Sequence, residues 1–293
     1  MEQHQTGLRP DVVHQQEMAM LLRNATPERR AIFETLQGKT WFRETAPELQ
    51  KQLLTLPDKG RENHDGFLQD LANRPEEVGN VKVERMVDLP HGSFALVPKF
   101  EVSRLDNPSV RYTYEYVSWR TGPLSGAKGV VFVEKNGEIT HFIVLKGEKF
   151  ATGKPQFDTF GGFYDKGVDG VQTITDRIML EMKEELGGEN IKLKRLESLG
   201  VVHPDTGLTN QAPEIFSAVI SDTDLRNLPK NHVNPDVYEL KHGPVVFPMH
   251  ELPQVVMANS DSFFLSTIAR AWAKGIIPPP TGVVGKSVGF SSN

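Results

Sequence analysis

TFGGFYDKGVDGVQTITDRIMLEMKEELGGEN, from Thr159 to Asn190, joins a glycine-rich turn to a helical pattern. With about 100° between successive helical residues, Glu181, Glu184 and Glu185 fall in one sector beside an apolar face. Neighbouring carboxylates on a helix repel by about a few tenths of a kcal/mol per pair. A divalent cation would relieve this repulsion, so the pattern predicts a metal site after the turn. A solvated charged face is the alternative.

The composition of the chain is that of an ordinary globular protein. It has 293 residues, of which 38% are hydrophobic and 24% charged, with a net charge of −5 and no cysteine. The negative charge disfavours strong binding to nucleic acid or to anionic membranes. The lack of cysteine excludes disulfides and thiolate metal sites. Neither a secretory-signal core nor a run of 18 apolar residues is visible, so the sequence predicts a cytoplasmic protein.

The apolar spacing divides the chain into three parts. Up to about residue 78 the apolar residues have helical spacing. After that they mainly alternate as in strands, apart from the glutamate helix and one further helix. We therefore predict an α+β protein with a helical N-terminal segment (1–78), a domain that includes its own N-terminal strands (79–275), and a Pro/Gly-rich tail (276–293).

Local signals refine this prediction. TAPE, from Thr45 to Glu48, has the form of a capping box at the start of a helix. Asn136 and Gly137 separate two alternating segments and predict a tight hairpin. The glutamate helix should begin near residue 173 and end at Gly187 in a C-cap.

The turn and the glutamate helix resemble the Nudix box, G-x5-E-x7-R-E-U-x-E-E-x-G-U, in which U is a bulky apolar residue. The positions that match are Glu181, Met182, Glu184, Glu185 and Gly187. The box is degenerate, because Leu180 stands at the arginine position and the first glutamate position falls on Val168 or Gln172. Gly162 lies four residues further from the helix than in the family, which is about one helical turn. Arg177, one turn before Glu181, could therefore supply the missing guanidinium.

Beyond the box, the resemblance covers roughly residues 118–275, where the strands before the turn and Pro204 after the box are similar to those of ADP-ribose pyrophosphatases of the Nudix hydrolase superfamily. It implies a Nudix fold, with mixed β-sheets between helices. It also implies a hydrolase that uses Mg²⁺, or Mn²⁺, to cleave ADP-ribose or a related nucleoside diphosphate sugar into AMP and a sugar phosphate. Its partner would be a small nucleotide, not a nucleic acid or a membrane, and a homodimer is left open.

The resemblance also implies roles for individual residues. The carboxylates of Glu181, Glu184 and Glu185 and the carbonyl of Gly161 would hold the metal. Glu184 and Glu185 would thereby be catalytic, and a loop glutamate would be the general base, with Glu239 the first choice and Glu214 the second. The substrate contacts would be Lys149, Gly162, Pro204 and Arg177.

Two alternatives stay open at this point. Without the arginine and the first glutamate of the box, the chain could be a nucleotide-binding module with little or no turnover. Tyr112, Tyr114 and Tyr116 could stack an adenine or form a subunit contact, although ordinary sheet packing explains such a stripe equally well. We further expect Glu184→Gln and Glu185→Gln to leave stability almost unchanged, on the premise that both carboxylates are exposed.

Overall fold

The computed structural model describes residues 10–57, 64–149, 151–164, 167, 170–187, 191–229, 232 and 241–279. The chain forms two compact units, of which unit 1 is Met1–Pro123 with Asp205–Gln211, and unit 2 is Leu124–Pro204 with Ala212–Asn293. The boundary therefore lies after the first strands, whereas the sequence predicts a change at about residue 78. None of the described helices is long and apolar enough to cross a membrane.

Unit 1 combines helices with short strands. Its described helices are α1 (Pro10–Asn24), α2 (Pro27–Gly38), α3 (Thr40–Arg43), α4 (Pro47–Leu54) and α5 (Asp65–Asn73). Its described strands are β1 (Glu77–Val78), β2 (Val81–Asp88), β3 (Ala95–Leu96), β4 (Lys99–Arg104), β5 (Arg111–Glu115) and β6 (Ser118–Trp119). β1, β2, β4 and β5 form an antiparallel sheet in that order, and β3 pairs with β6.

One apolar core joins the helices and the sheet of unit 1. Trp41 of α3 packs edge-on against Phe100 of β4, with 5.4 Å between ring centroids. Tyr116 stacks on the same phenylalanine and is buried. The strands from 81 to 115 bury their apolar face on these helices, which is why they belong to unit 1. The sheet-packing alternative thus holds for Tyr116, while Tyr112 and Tyr114 are 42% and 44% exposed.

Unit 2 is built on a six-stranded sheet. Its described strands are β7 (Ala127–Lys135), β8 (Glu138–Lys149), β9 (Lys154–Asp158), β10 (Leu193–Val201), β11 (Glu214–Ser221) and β12 (Lys241–Pro248). Its described helices are α6 (Ile174–Leu186), α7 (Asp222–Arg226), α8 (Leu252–Ala258) and α9 (Ser262–Ala273). The order is β10-β11-β7-β8-β12, with β9 also on β8. β11 and β7 are parallel and the other pairs are antiparallel, so the sheet is mixed.

Alternate residues of the central strands point into two separate cores. Phe132 and Phe142 pack with α8 and α9 on one face of the sheet, where Phe264 is fully buried. Val131 and Ile143 pack with α6 on the other face. The sheet therefore lies between helical layers, and the predicted α+β class with sheets between helices is confirmed. The predicted hairpin also forms, since Asn136 and Gly137 have φ of 54° and 85° between β7 and β8.

Candidate active site

The glycine turn of unit 2 lies against the start of β7. Gly129 and Phe160 exchange backbone hydrogen bonds of 2.8 and 2.9 Å, and the Ala127 N–H donates to the Gly162 carbonyl at 3.1 Å. Gly161 has φ 139°, and a Cβ built on it would lie 1.9 Å from the carbonyl oxygen of Ala127. Only glycine combines this conformation with so close an approach of two backbones.

Helix α6 has strong signals at both ends, which fix where it begins and ends. Thr173 and Asp176 form a capping box at its N-terminus, and Gly187 ends it in the left-handed conformation with φ 70°. The predicted C-cap is thus confirmed. The capping box predicted at Thr45 is wrong, because α4 begins after Ala46 and receives no side-chain cap.

Glu185 connects α6 to the turn. Its side chain is buried, with 1% exposure, and its carboxylate accepts a hydrogen bond from the Gly161 N–H at 3.0 Å. A buried carboxylate needs such partners because removing an unpaired charge from water is costly. The premise that this glutamate is exposed is therefore wrong, since α6 turns it towards the backbone of Gly161.

Glu181 lies one helical turn earlier and meets the second glycine. Its carboxylate forms an ion pair with Arg177, and both side chains are largely buried, with exposures of 8% and 19%. A Cβ built on Gly162 would lie 1.9 Å from the Glu181 carboxylate and 2.7 Å from the Arg177 guanidinium. A side chain at position 162 would therefore have to displace these charged groups of α6.

Glu184 differs from the other two glutamates, because its side chain is exposed. Across the part of the chain that the structure describes, no three His, Cys, Asp or Glu residues form a group that could hold a metal ion. The three glutamates of the sequence-predicted site are therefore not assembled into one carboxylate cluster. Glu181 and Glu185 approach the turn, and Glu184 does not join them.

The oxygen atoms at the turn fit Mg²⁺, but with two glutamates instead of the three that the sequence predicts. Mg²⁺ takes oxygen ligands, usually one or two carboxylates together with waters and phosphate oxygens of the substrate. The carboxylates of Glu181 and Glu185, which approach this turn, and the Gly161 carbonyl in it provide oxygen ligands of this kind. The amino group of Lys128 lies 3.4 Å from that carbonyl oxygen, so a cationic group already approaches one of these donors.

Lys128 also belongs to a charged group next to the turn. Asp158, at the end of β9, is 7% exposed and forms an ion pair with Lys149. Burial by itself raises the pKa of the Asp158 carboxyl, but the charges of Lys128 and Lys149 and its hydrogen bonds outweigh burial and lower that pKa to about 2. Burial and the negative charge of Asp158 together raise the pKa of Asp261, which caps α9 by accepting from the Phe264 N–H at 2.7 Å.

The other sequence-predicted residues are found as follows. Lys149, expected to contact substrate, has its ammonium group on Asp158. Glu214 begins β11 opposite Ala127 of β7, so it is one strand away from the residue that bonds Gly162, and its carboxylate accepts from the Ser198 hydroxyl. Pro204 is half-buried at the end of a segment of unit 2. Glu239 lies outside the described residues.

Sequence reasoning missed Lys128 and Asp158. Lys128 is one polar residue in an apolar strand, and Asp158 directly precedes the quoted segment, so neither carries a spacing signal. Their positions follow from the pairing of β9 with β8 and of the turn with β7.

The comparisons with known proteins give a likeness of the chain trace to solved structures, but no match to a family model or to a curated protein. Among solved structures, the crystal structure of an ADP compounds hydrolase is similar to it, with a TM-score of 0.47 and 16% identity, over 69% of this chain and 98% of that one. At this identity and TM-score, the likeness carries no information about the substrate or activity of this chain.

Proposed function

We propose that unit 2 is a Mg²⁺-dependent hydrolase of the Nudix type, which cleaves ADP-ribose or a related nucleoside diphosphate sugar into AMP and a sugar phosphate. The observation that supports this most is the approach of two buried carboxylates of α6, Glu181 and Glu185, to the Gly161–Gly162 turn. Burying carboxylates against backbone costs stability, so folding alone does not account for them. Carboxylates in this position suit a site for a cation and its anionic ligand.

The turn and α6 would position the diphosphate. Glu181, Glu185 and the Gly161 carbonyl would hold Mg²⁺, and the bound ion would neutralise phosphate charge and polarise the bond to be cleaved. The pair with Arg177 would keep Glu181 directed at the turn. Lys128, with its amino group already near the Gly161 carbonyl, would contribute further positive charge to the phosphate oxygens.

A general base has to accept the proton of the attacking water, and a glutamate is expected in that role here. Glu184 is exposed, so its carboxylate is accessible to water, whereas Glu181 and Glu185 are buried. Glu214 starts a strand two places from the glycine turn in the sheet, about 10 Å away at the usual strand spacing. Glu239 stays the first choice for the base, and Glu214 the second, in line with the resemblance.

A second function is favoured by the Arg177–Glu181 ion pair. An arginine that already neutralises Glu181 takes the place of a metal ion at that carboxylate. Gln172 or Val168 instead of an acid at the first box position removes one more ligand. In this second proposal, unit 2 binds the nucleotide without appreciable turnover.

One experiment separates the two proposals. The full chain is incubated with ADP-ribose and Mg²⁺ while AMP is measured by chromatography, and nucleotide binding is measured by calorimetry with and without Mg²⁺. Glu185→Gln and Glu184→Gln are measured in parallel, and Lys183→Gln, at an exposed position of the same helix, is the matched control.

Mg²⁺-dependent release of AMP that is lost in Glu185→Gln but retained in Lys183→Gln supports the hydrolase. Binding without AMP release supports the second proposal. A chain that neither binds nor cleaves ADP-ribose or other nucleoside diphosphate sugars contradicts both. If Glu184→Gln keeps full activity, the exposed glutamate is neither a metal ligand nor the base.

A further inference from the structure

β5 is an open edge of the sheet in unit 1. Within the described residues it pairs with β4 alone, and all five of its residues, Arg111–Glu115, are exposed. An unpaired strand edge offers a row of backbone donors and acceptors to another strand. Tyr112 and Tyr114 are more than 40% exposed on this edge, an unusual cost for two large aromatic side chains if nothing covers them.

The direction of the free backbone groups follows from the register. The Arg104 N–H donates to the Val110 carbonyl at 3.2 Å, which makes these two residues a hydrogen-bonded pair. Because such pairs alternate along an antiparallel ladder, the backbone groups of Tyr112 and Tyr114 face β4. Those of Arg111, Thr113 and Glu115 therefore face outward.

We propose that two copies of this chain associate by antiparallel pairing of their β5 strands about a two-fold axis at Thr113. In this register Thr113 pairs with itself, and Tyr112 lies opposite Tyr114 of the second copy. Arg111 lies opposite Glu115 of the second copy, and the reverse contact repeats it. The sequence Arg-Tyr-Thr-Tyr-Glu is self-complementary, as a two-fold interface requires.

The charges on β4 agree with this pairing. Glu115 lies 3.3 Å from the ammonium of Lys99, and Arg111 lies 2.9 Å from the carboxylate of Glu101. Across the junction, the row would read Lys99, Glu115, then Arg111 and Glu101 of the second copy. The signs alternate without a like-charge contact, and opposite charges directly across a strand pair stabilise it.

The two tyrosines lie on the other face of β5. Tyr112 and Tyr114 are opposite Val102 and Phe100 of β4, which are buried in the core of unit 1. Tyr112 and Tyr114 therefore extend the apolar face of the sheet to its edge, where that face ends. A second copy would continue that face with its own two tyrosines, and cross-strand aromatic pairs are favourable.

The test measures self-association of the full chain by sedimentation equilibrium over a range of concentrations. Arg111→Glu places like charges opposite each other twice in the pair, and so does Glu115→Arg. Each variant alone should weaken self-association by about tenfold or more. An equimolar mixture of the two should recover the dimer, because the altered residues are then complementary. Lys135→Glu, at the exposed last residue of β7, should change nothing.

Circular dichroism of each variant checks that unit 1 stays folded, since both residues also pair with β4. Recovery in the mixture supports the proposal in any case, because two unfolded chains would not restore a specific dimer. A wild-type chain that is monomeric throughout overturns it. So does a dimer that both single variants leave intact, which would show that copies meet elsewhere, and so does a mixture no more associated than its components.

Discussion

The carboxylate of Glu185 accepts the backbone N–H of Gly161 at 3.0 Å, and this hydrogen bond joins the helix and the turn on which the proposed function depends. Both partners are buried. The carboxylate therefore has a structural role in addition to any role as a metal ligand, and the two roles respond differently to substitution.

Glu185→Ala should lower the free energy of unfolding by about 1–3 kcal/mol, because the Gly161 N–H loses its acceptor in a buried place. Glu185→Gln keeps an acceptor oxygen and should cost less. If the residue also holds a metal, the glutamine variant should still lose activity by about a hundredfold or more. Urea unfolding and the AMP assay measure the two effects. Equal stability of both variants and the wild type would show that the bond contributes nothing.

The two glycines of the turn should respond differently to alanine. Gly161→Ala requires φ near 139° and puts a Cβ 1.9 Å from a backbone oxygen, so it should destabilise by about 1–3 kcal/mol or more. Gly162→Ala meets the ends of the Glu181 and Arg177 side chains, which can move. It should therefore leave the fold intact and reduce activity or metal affinity. Thermal unfolding and metal titration separate these outcomes, and a more stable Gly161→Ala than Gly162→Ala would contradict the expectation.

The sequence predicted the helix but not the surroundings of its glutamates. Periodicity gives angles around a helix axis, so it placed Glu181, Glu184 and Glu185 in one sector. It does not say where a neighbouring turn lies, and the turn at Gly161 buries two of the three. Arg177 was expected to replace the missing arginine of the box, and its ion pair with Glu181 agrees with that placement, while its role in activity stays a prediction.

Local sequence patterns also did not indicate where the chain divides into its two compact units. The period changes near residue 78, as predicted, but compactness depends on which core an apolar face joins. Thr45 shows the same limit at one residue. Its sequence context is that of a helix cap, yet its buried hydroxyl donates to the Trp41 carbonyl at 2.7 Å and accepts the Met86 N–H at 2.9 Å. A contact between a residue that links two helices and a strand residue 41 positions further along the chain cannot be read from spacing.

Breaking the ion pair of Arg177 and Glu181 should cost more stability than removing both of its charges. Arg177→Leu removes the guanidinium group from a buried carboxylate and should cost about 3–5 kcal/mol of stability. The double variant Arg177→Leu, Glu181→Leu removes both charges and should regain much of that loss without regaining activity. Chemical denaturation of the single and double variants measures this.

The control for this pair is Arg226→Leu. Arg226 and Asp222 have the same i,i+4 spacing on α7, but the arginine is 65% exposed, so the loss should stay below about 1 kcal/mol. If Arg177→Leu costs no more than Arg226→Leu, the pair on α6 is not buried in solution. If the double variant is no more stable than Arg177→Leu, the loss of the guanidinium group beside this carboxylate is not the cause of the destabilisation.

Stability at low pH should depend on Asp158. Its pKa in the folded chain is about 2, below the usual 3.8, so the folded state binds the proton less readily than the unfolded state. The resulting stabilisation is fully present above about pH 4, amounts to roughly 2 kcal/mol, and is lost as the pH falls towards 2. The wild type should therefore lose about 1 kcal/mol more than Asp158→Asn between about pH 5 and pH 3. Denaturant unfolding at both pH values measures the difference. Parallel losses in the two proteins would mean that Lys128 and Lys149 do not hold this carboxylate in its charged form, and the charged group next to the turn would then have to be described differently.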